Sequence, residues 1–126
     1  MSFKFFGVLS SFLSLLAPCI KPENGWAHAY PASSAPVDGA TVSSPPREMV
    51  IRFTEGVETE FSRIEVKSAG GEPVSLGKVR RVAPDTLAVT LKPLGPGAYT
   101  VEWQVLSVDT HVTEGRLRFT VRAQGQ

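Results

Sequence analysis

Hydrophobic and polar residues alternate along most of the chain after residue 48, which is the pattern of half-buried β-strands. Successive side chains of a strand point to opposite faces, so each such segment has one core face and one solvent face. The inward rows are Met49, Ile51 and Phe53; Ile64 and Val66; Leu87, Val89 and Leu91; Tyr99, Val101, Trp103 and Val105; and Leu117, Phe119 and Val121. Because this region has no helical period of useful length, the pattern predicts an all-β domain.

Turn residues separate the alternating segments at regular intervals. They are Asp38-Gly39, Pro45-Pro46, Gly70-Gly71 and Gly95-Pro96-Gly97. Short strands joined by such turns predict a Greek-key β-sandwich or barrel of about seven strands. We expect an immunoglobulin-like architecture with a cupredoxin-like appearance, without the cysteine pair of antibody domains. The predicted aromatic core consists of Phe53, Phe61, Tyr99, Trp103 and Phe119.

The amino-terminal region has the pattern of an export signal. Lys4 precedes an apolar run over residues 5–17, which is shorter than the roughly 20 residues that span a membrane. Gly25 and Ala27 are small residues suited to positions −3 and −1 of a signal-peptidase site. We therefore predict a signal peptide over residues 1–27, a mature domain over residues 28–126, and a periplasmic location.

Two alternatives to this cleavage remain open. The charged Lys21 and Glu23 lie where a cleavage region would be, so an uncleaved anchor is one of them. The other is lipidation at Cys19, although Pro18 directly before it argues against a lipobox. Cys19 is the chain's only cysteine, so cleavage after Ala27 would leave the domain without a thiol or a disulfide.

The charge of the chain excludes some classes of function. The formal net charge is +1 over 126 residues, and removal of Lys4, Lys21 and Glu23 takes it close to zero. No basic patch with interleaved aromatic residues is present, which argues against a nucleic-acid partner. No second long hydrophobic run follows the first, which argues against an integral membrane transporter.

The predicted cleavage would make His28 the new amino terminus. A terminal histidine offers a free amine and an imidazole, which together can close a chelate on a metal ion. The only other histidine is His111, in the segment Val108-Asp109-Thr110-His111. Three nitrogen donors and one carboxylate suit Cu(II), which favours such donors in a tetragonal plane.

The spacing of Asp109 and His111 is compatible with a shared ion. In extended backbone, residues two apart point to the same face, so we expect both side chains to meet one ion without a special loop. An amino-terminal strand beside the strand that starts at Tyr99 would bring His28 close to Asp109 and His111. Because the amine and the imidazole bind as neutral groups, affinity is expected to weaken as the pH falls through about 6.

Three further residues have side chains that could act at a metal site. Glu55 and Glu114 could each orient a ligand histidine, although a turn carboxylate is the simpler interpretation of both. Met49 lies on an inward strand face, and one buried methionine cannot form a Cu(I) site.

These residues belong to a longer series of motifs that resembles the CopC family of periplasmic copper-binding proteins. The series consists of His28-Ala29, residues 34–42 (SAPVDGATV), Pro45-Pro46, residues 51–58 (IRFTEGVE), residues 93–101 (PLGPGAYTV) and residues 103–115 (WQVLSVDTHVTEG). Each motif is weak alone, but together they cover the predicted mature domain in order.

The resemblance implies a Greek-key β-fold that binds Cu(II) through His28, Asp109 and His111. Some family members also carry a methionine-rich loop for Cu(I), which this sequence lacks. The resemblance further implies a membrane copper protein of the CopD type as partner, here expected to be a separate chain. We expect a monomer that binds one Cu(II) ion per domain.

Three hypotheses follow from the sequence. The first is a non-enzymatic copper carrier or buffer in copper homeostasis or resistance. The second is an oxidative copper enzyme with a histidine brace, which is less favoured because Asp109 would fill a planar position that a catalytic metal keeps open. The third is a β-sandwich interaction module in which the two histidines bind no metal.

Overall fold

The computed structural model describes residues 28–124, which form two packed β-sheets. The predicted signal peptide, with Cys19, lies outside the described residues. The strands are β1 (Pro31–Ala35), β2 (Ala40–Val42), β3 (Glu48–Phe53), β4 (Arg63–Ser68), β5 (Ser75–Ala83), β6 (Thr86–Leu91), β7 (Gly97–Leu106) and β8 (Val112–Val121). A single 3₁₀ turn over Thr59–Phe61 is the only helical element among these residues. The all-β sandwich is confirmed, with eight strands where about seven were expected.

Consecutive strands often change sheet. One sheet has the order β1-β3-β6-β5 and the other the order β2-β8-β7-β4. All neighbouring pairs are antiparallel except β2 and β8, which are parallel. As a result, the start of β1, the end of β3 and the turn between β7 and β8 lie at one end of the sandwich.

The inward rows that the alternation predicted form the core between the two sheets. Met49, Ile51 and Phe53 of β3 are fully buried, as are Val101 and Val105 of β7. Aromatic rings fill the space between the sheets in two pairs. Phe53 meets Trp103 edge to face, with ring centroids 5.6 Å apart, and Tyr99 stacks on Phe119 at 5.3 Å.

The prediction that Phe61 belongs to this core is wrong. Its side chain is 70% exposed, because it closes the short 3₁₀ turn that precedes β4 rather than lying on a strand face. A helical turn between strands does not follow the period of two from which an inward position was inferred.

No helix within residues 28–124 has the length and apolar character needed to cross a membrane.

Candidate metal centre

The turn between β7 and β8 brings Asp109 and His111 together. His111 Nδ1 lies 3.2 Å from Asp109 Oδ1, and both side chains are partly exposed. The expectation that extended backbone aligns them is wrong, because both residues lie in the turn and Thr110 between them has a φ of 70°. A β-branched residue with positive φ is unusual, so the surrounding contacts must hold this turn in place.

Ser107 provides most of those contacts. Its side chain is fully buried, and its hydroxyl donates a hydrogen bond to the Asp109 carboxylate. The same oxygen accepts the backbone N–H of His111 at 3.2 Å. The Ser107 backbone N–H donates to the His111 carbonyl at 2.9 Å, and the Thr110 N–H donates to the Ser107 carbonyl at 2.8 Å. One buried serine therefore fixes the backbone around both candidate ligands.

The loop after β3 supports this turn from the opposite sheet. Val108 N–H donates to the Gly56 carbonyl at 3.0 Å, and Val57 forms an isolated bridge with Ser107. A β-carbon on Gly56 would lie 3.2 Å from Val108 Cγ1, so the glycine permits this close approach. The candidate ligands are thus carried by a turn that is packed against its neighbours.

The electrostatics of the site favour an ionised carboxylate. The hydrogen bond from the Ser107 hydroxyl is the main cause that lowers the pKa of Asp109 below its usual value, and the neighbouring His111 adds to this effect. Asp109 is therefore available as an anionic oxygen donor at neutral pH.

His28 lies against His111 at the same end of the sandwich. The centroids of the two imidazole rings are 4.6 Å apart, with their planes tilted by 46°. The route that delivers His28 differs from the prediction, because β1 pairs with β3 of the other sheet and not with β7. His28 precedes β1, and it reaches His111 across the end of the sandwich.

The three predicted ligands are therefore neighbours, but they do not form a closed site. Within residues 28–124, no three histidine, cysteine or carboxylate side chains converge on a point suited to a metal ion. Asp109 pairs with His111, and His28 adjoins this pair through ring contact. Joint binding of one ion would require rotation of at least one side chain.

Among the described residues, Glu55 and Glu114 make no hydrogen bond to the candidate histidines, and the nitrogen partner of His111 is Asp109 itself. Met49 is fully buried in the core, as its inward position predicted.

Sequence reasoning missed three hydroxyl residues that shape the site, namely Ser107, Thr54 and Thr113. Thr113 donates to the Ala29 carbonyl at 2.6 Å, and Thr54 contacts the backbone of His28 and Tyr30. Serine and threonine beside a turn commonly bond to nearby backbone groups. That tendency could have indicated a role for Ser107. No local sequence pattern indicates the long-range bonds of the two threonines.

Comparison with known proteins identifies one protein family and several relatives of this chain. A protein-family model described as the CopC domain matches residues 32–122. Protein YobA of Escherichia coli K12 is 35% identical over 113 residues, which cover 87% of this chain and 91% of that protein. Copper resistance protein C of Xanthomonas campestris pv. juglandis is 32% identical over 125 residues, which cover 93% of this chain and 98% of that protein.

A solved structure has the same fold as this chain. The crystal structure of CopC from Methylosinus trichosporium OB3b superposes with a TM-score of 0.73 at 30% sequence identity. The match covers 79% of this chain and 98% of that one. The arrangement of strands described above is therefore also that of an experimental structure.

Proposed function

The chain belongs to the CopC family of copper proteins, and from this membership we propose that it is a periplasmic Cu(II) carrier or buffer in copper homeostasis or resistance. The single observation that supports the proposed site most directly is the 4.6 Å separation of the His28 and His111 rings, with Asp109 beside His111. Both histidines of the chain are thereby assigned to one end of the sandwich.

The donor set fits Cu(II) in chemical type. Under this proposal, cleavage after Ala27 frees the amine of His28, which binds together with an imidazole nitrogen of the same residue. His111 supplies a third nitrogen, and Asp109 supplies a carboxylate oxygen. Nitrogen and carboxylate donors in a tetragonal plane suit Cu(II), whereas Cu(I) prefers the sulfur of cysteine and methionine.

A holding function is more consistent with this set than catalysis. Four protein donors would fill the plane around one ion, and a catalytic metal keeps a planar position for substrate or oxygen. We therefore propose a non-enzymatic role, with one Cu(II) ion per monomeric domain. A separate membrane protein of the CopD type is the partner we propose for copper exchange.

The proposal is tested by Cu(II) titration of a domain that starts at His28 with a free amine. Trp103 is a convenient probe, because Trp26 is removed with the proposed signal and Trp103, the other tryptophan, lies in the core. We expect quenching of its fluorescence to saturate at one Cu(II) per domain, and isothermal titration to give the same stoichiometry.

Two variants test the ligand assignment. His28→Ala removes the imidazole, and a domain with one glycine added before His28 displaces the terminal amine while retaining every side chain. Both should bind Cu(II) much more weakly than the unextended domain. Binding that survives both changes would refute the amino-terminal chelate, and mass spectrometry of the exported protein would test whether His28 is its first residue.

A further inference from the structure

Residues 28–30, here called the amino-terminal segment, are bonded to both sheets by two threonine side chains. Thr54 follows β3 of one sheet, and Thr113 lies on β8 of the other. We refer to Thr54 and Thr113 as the threonine pair. The segment lies across the end of the sandwich between them, so its path depends on contacts with both layers.

Thr113 holds Ala29 of the amino-terminal segment in its buried position. Its hydroxyl donates to the Ala29 carbonyl at 2.6 Å, and the threonine itself is buried. Ala29 is fully buried and belongs to the hydrophobic core. A buried carbonyl without a partner is costly, so this bond strongly favours one position of Ala29. Thr113 is also two residues beyond His111, which ties the segment to the strand that starts beside that candidate ligand.

Thr54 fixes the direction of the segment. Its hydroxyl accepts the Tyr30 backbone N–H at 3.0 Å and donates to the His28 carbonyl at 3.3 Å. Its own backbone N–H donates to the Tyr30 carbonyl at 2.8 Å. The backbone groups on both sides of Ala29 are therefore held by one residue, and the carbonyl of His28 is among them.

We propose that the threonine pair preorganises the copper chelate by holding the backbone of the amino-terminal segment so that His28 lies beside His111 before the ion binds. This inference rests on the proposed function above. A chain terminus in the binding-competent arrangement for only a fraction of the time binds its ligand more weakly in proportion to that fraction. The threonine pair raises the fraction without contacting the metal, so its members are positioning residues.

The substitution Thr113→Val tests this role because valine keeps the shape of threonine and removes only the hydroxyl. With the Ala29 carbonyl left unpaired, we expect the Cu(II) dissociation constant to rise roughly tenfold, as for the loss of one buried hydrogen bond. Thr113→Ser keeps the hydroxyl and should restore most of the affinity. The electron paramagnetic resonance spectrum of bound Cu(II) should be unchanged in Thr113→Val, because the ligands are the same.

A double-mutant cycle with a domain that lacks both amino-terminal donors, namely His28→Ala with one glycine added before it, separates positioning from a general structural effect. If Thr113 acts through the segment, Thr113→Val should weaken Cu(II) binding in the domain with His28 and cause no further loss in the domain without these donors. Thr86→Val is the matched control, since Thr86 is also buried but its hydroxyl bonds to Asp85. The control should bind Cu(II) like the unmodified domain.

The outcomes distinguish this inference from the proposed function. If the unmodified domain binds Cu(II) weakly and independently of His28, the proposed function fails. If it binds tightly through His28 but Thr113→Val has unchanged affinity, or loses as much affinity in the background without both amino-terminal donors, only the positioning role is refuted. Should Thr113→Val fail to fold, Thr54→Val removes the exposed half of the pair and is subject to the same cycle.

Discussion

At the scale of single residues, the oxygen of Ser107 organises the candidate metal centre. It donates to the carboxylate of Asp109 and accepts the backbone N–H of His111 at 3.2 Å. Because the serine is fully buried, water cannot easily replace either interaction. One hydroxyl group thus sets both the orientation and the ionisation of neighbouring candidate ligands.

Replacement of this hydroxyl should change the titration of Asp109. In Ser107→Ala, the strongest cause of its lowered pKa is removed, so the pKa should rise toward the usual aspartate value. Carbon-detected NMR titration of the metal-free domain measures this change directly. Ser62→Ala is the matched control, because the Ser62 hydroxyl bonds to the Leu106 N–H of the same region and not to Asp109.

The same shift has a consequence for stability. Because the folded pKa of Asp109 lies below the unfolded value of about 3.9, its ionised form contributes stability at higher pH that is lost as the pH falls through the folded pKa. Urea unfolding at several pH values should therefore show less loss on acidification for Ser107→Ala than for the unmodified domain. An unchanged Asp109 pKa in this variant would contradict the role assigned to the hydroxyl.

At the scale of elements, alternation predicted the strands that have one buried and one exposed face. These are β3, β4, β7 and β8, whose inward rows are those named from the sequence. The inward row of β6 was also named, but Thr86 and Ala88 on the other face of that strand are buried as well. The period of two is a consequence of half-burial, so it identifies such strands directly.

The remaining strands have no such period because they are short or lie at sheet edges. β1 is an edge strand of small residues and proline, β2 has three residues, and β5 is an exposed edge strand with a register shift on either side of Arg80. Each of these three strands buries few side chains, so hydrophobicity does not reveal it, whereas the edge strand β4 buries Ile64 and Val66 and shows the alternation.

The sequence indicated which residues are neighbours in the candidate site more fully than it indicated their geometry. Asp109 and His111 were expected to share a strand face, yet they meet across a turn that Ser107 holds. The proximity of His28 depends on long-range bonds from Thr54 and Thr113, which no local pattern encodes. Contacts between residues distant in sequence are set by tertiary packing and not by periodicity.

The pairing of β7 and β8 depends on one residue without a side chain. Gly115 lies opposite Trp103 in the register of the two strands. A β-carbon there would lie 2.7 Å from Trp103 Cζ2, which is closer than non-bonded atoms approach. Among the described residues, Trp103 Nε1 has no hydrogen-bond partner, so packing alone sets the position of the indole.

Gly115→Ala should therefore destabilise the domain. The added methyl group must displace the Trp103 ring, which packs on Phe53, and overpacking of this kind costs about 1–3 kcal/mol. The free energy of unfolding in urea, followed by Trp103 fluorescence, measures the effect. Gly95→Ala is the control, because no atom lies within 4 Å of its β-carbon position, and its stability should change by less than about 0.5 kcal/mol. Equal stability of the two variants would contradict the clash.

At the scale of the whole molecule, the proposed ligands come from parts of the chain that are far apart in sequence. The amino-terminal segment bonds to the end of β3 in one sheet, and the turn with Asp109 and His111 joins two strands of the other. An ion held by both would link the two layers at one end. In the unfolded chain only the two nitrogens of His28 remain together, so the folded state binds such an ion more tightly and is stabilised by mass action.

Cu(II) should consequently raise the unfolding temperature of the domain that begins at His28. A free concentration of one hundred times the dissociation constant adds at most about 2.7 kcal/mol, and for a domain of this size that corresponds to a rise of up to roughly 10–20 °C. Differential scanning calorimetry measures the rise, and a chelator should reverse it. Zn(II) at the same concentration should give a smaller rise, because nitrogen and oxygen donors bind it less tightly than Cu(II). The His28→Ala domain should show a much smaller rise, because only the terminal amine of the amino-terminal segment then remains to bind the ion. Equal rises in the two domains would mean that Cu(II) binds elsewhere on the fold.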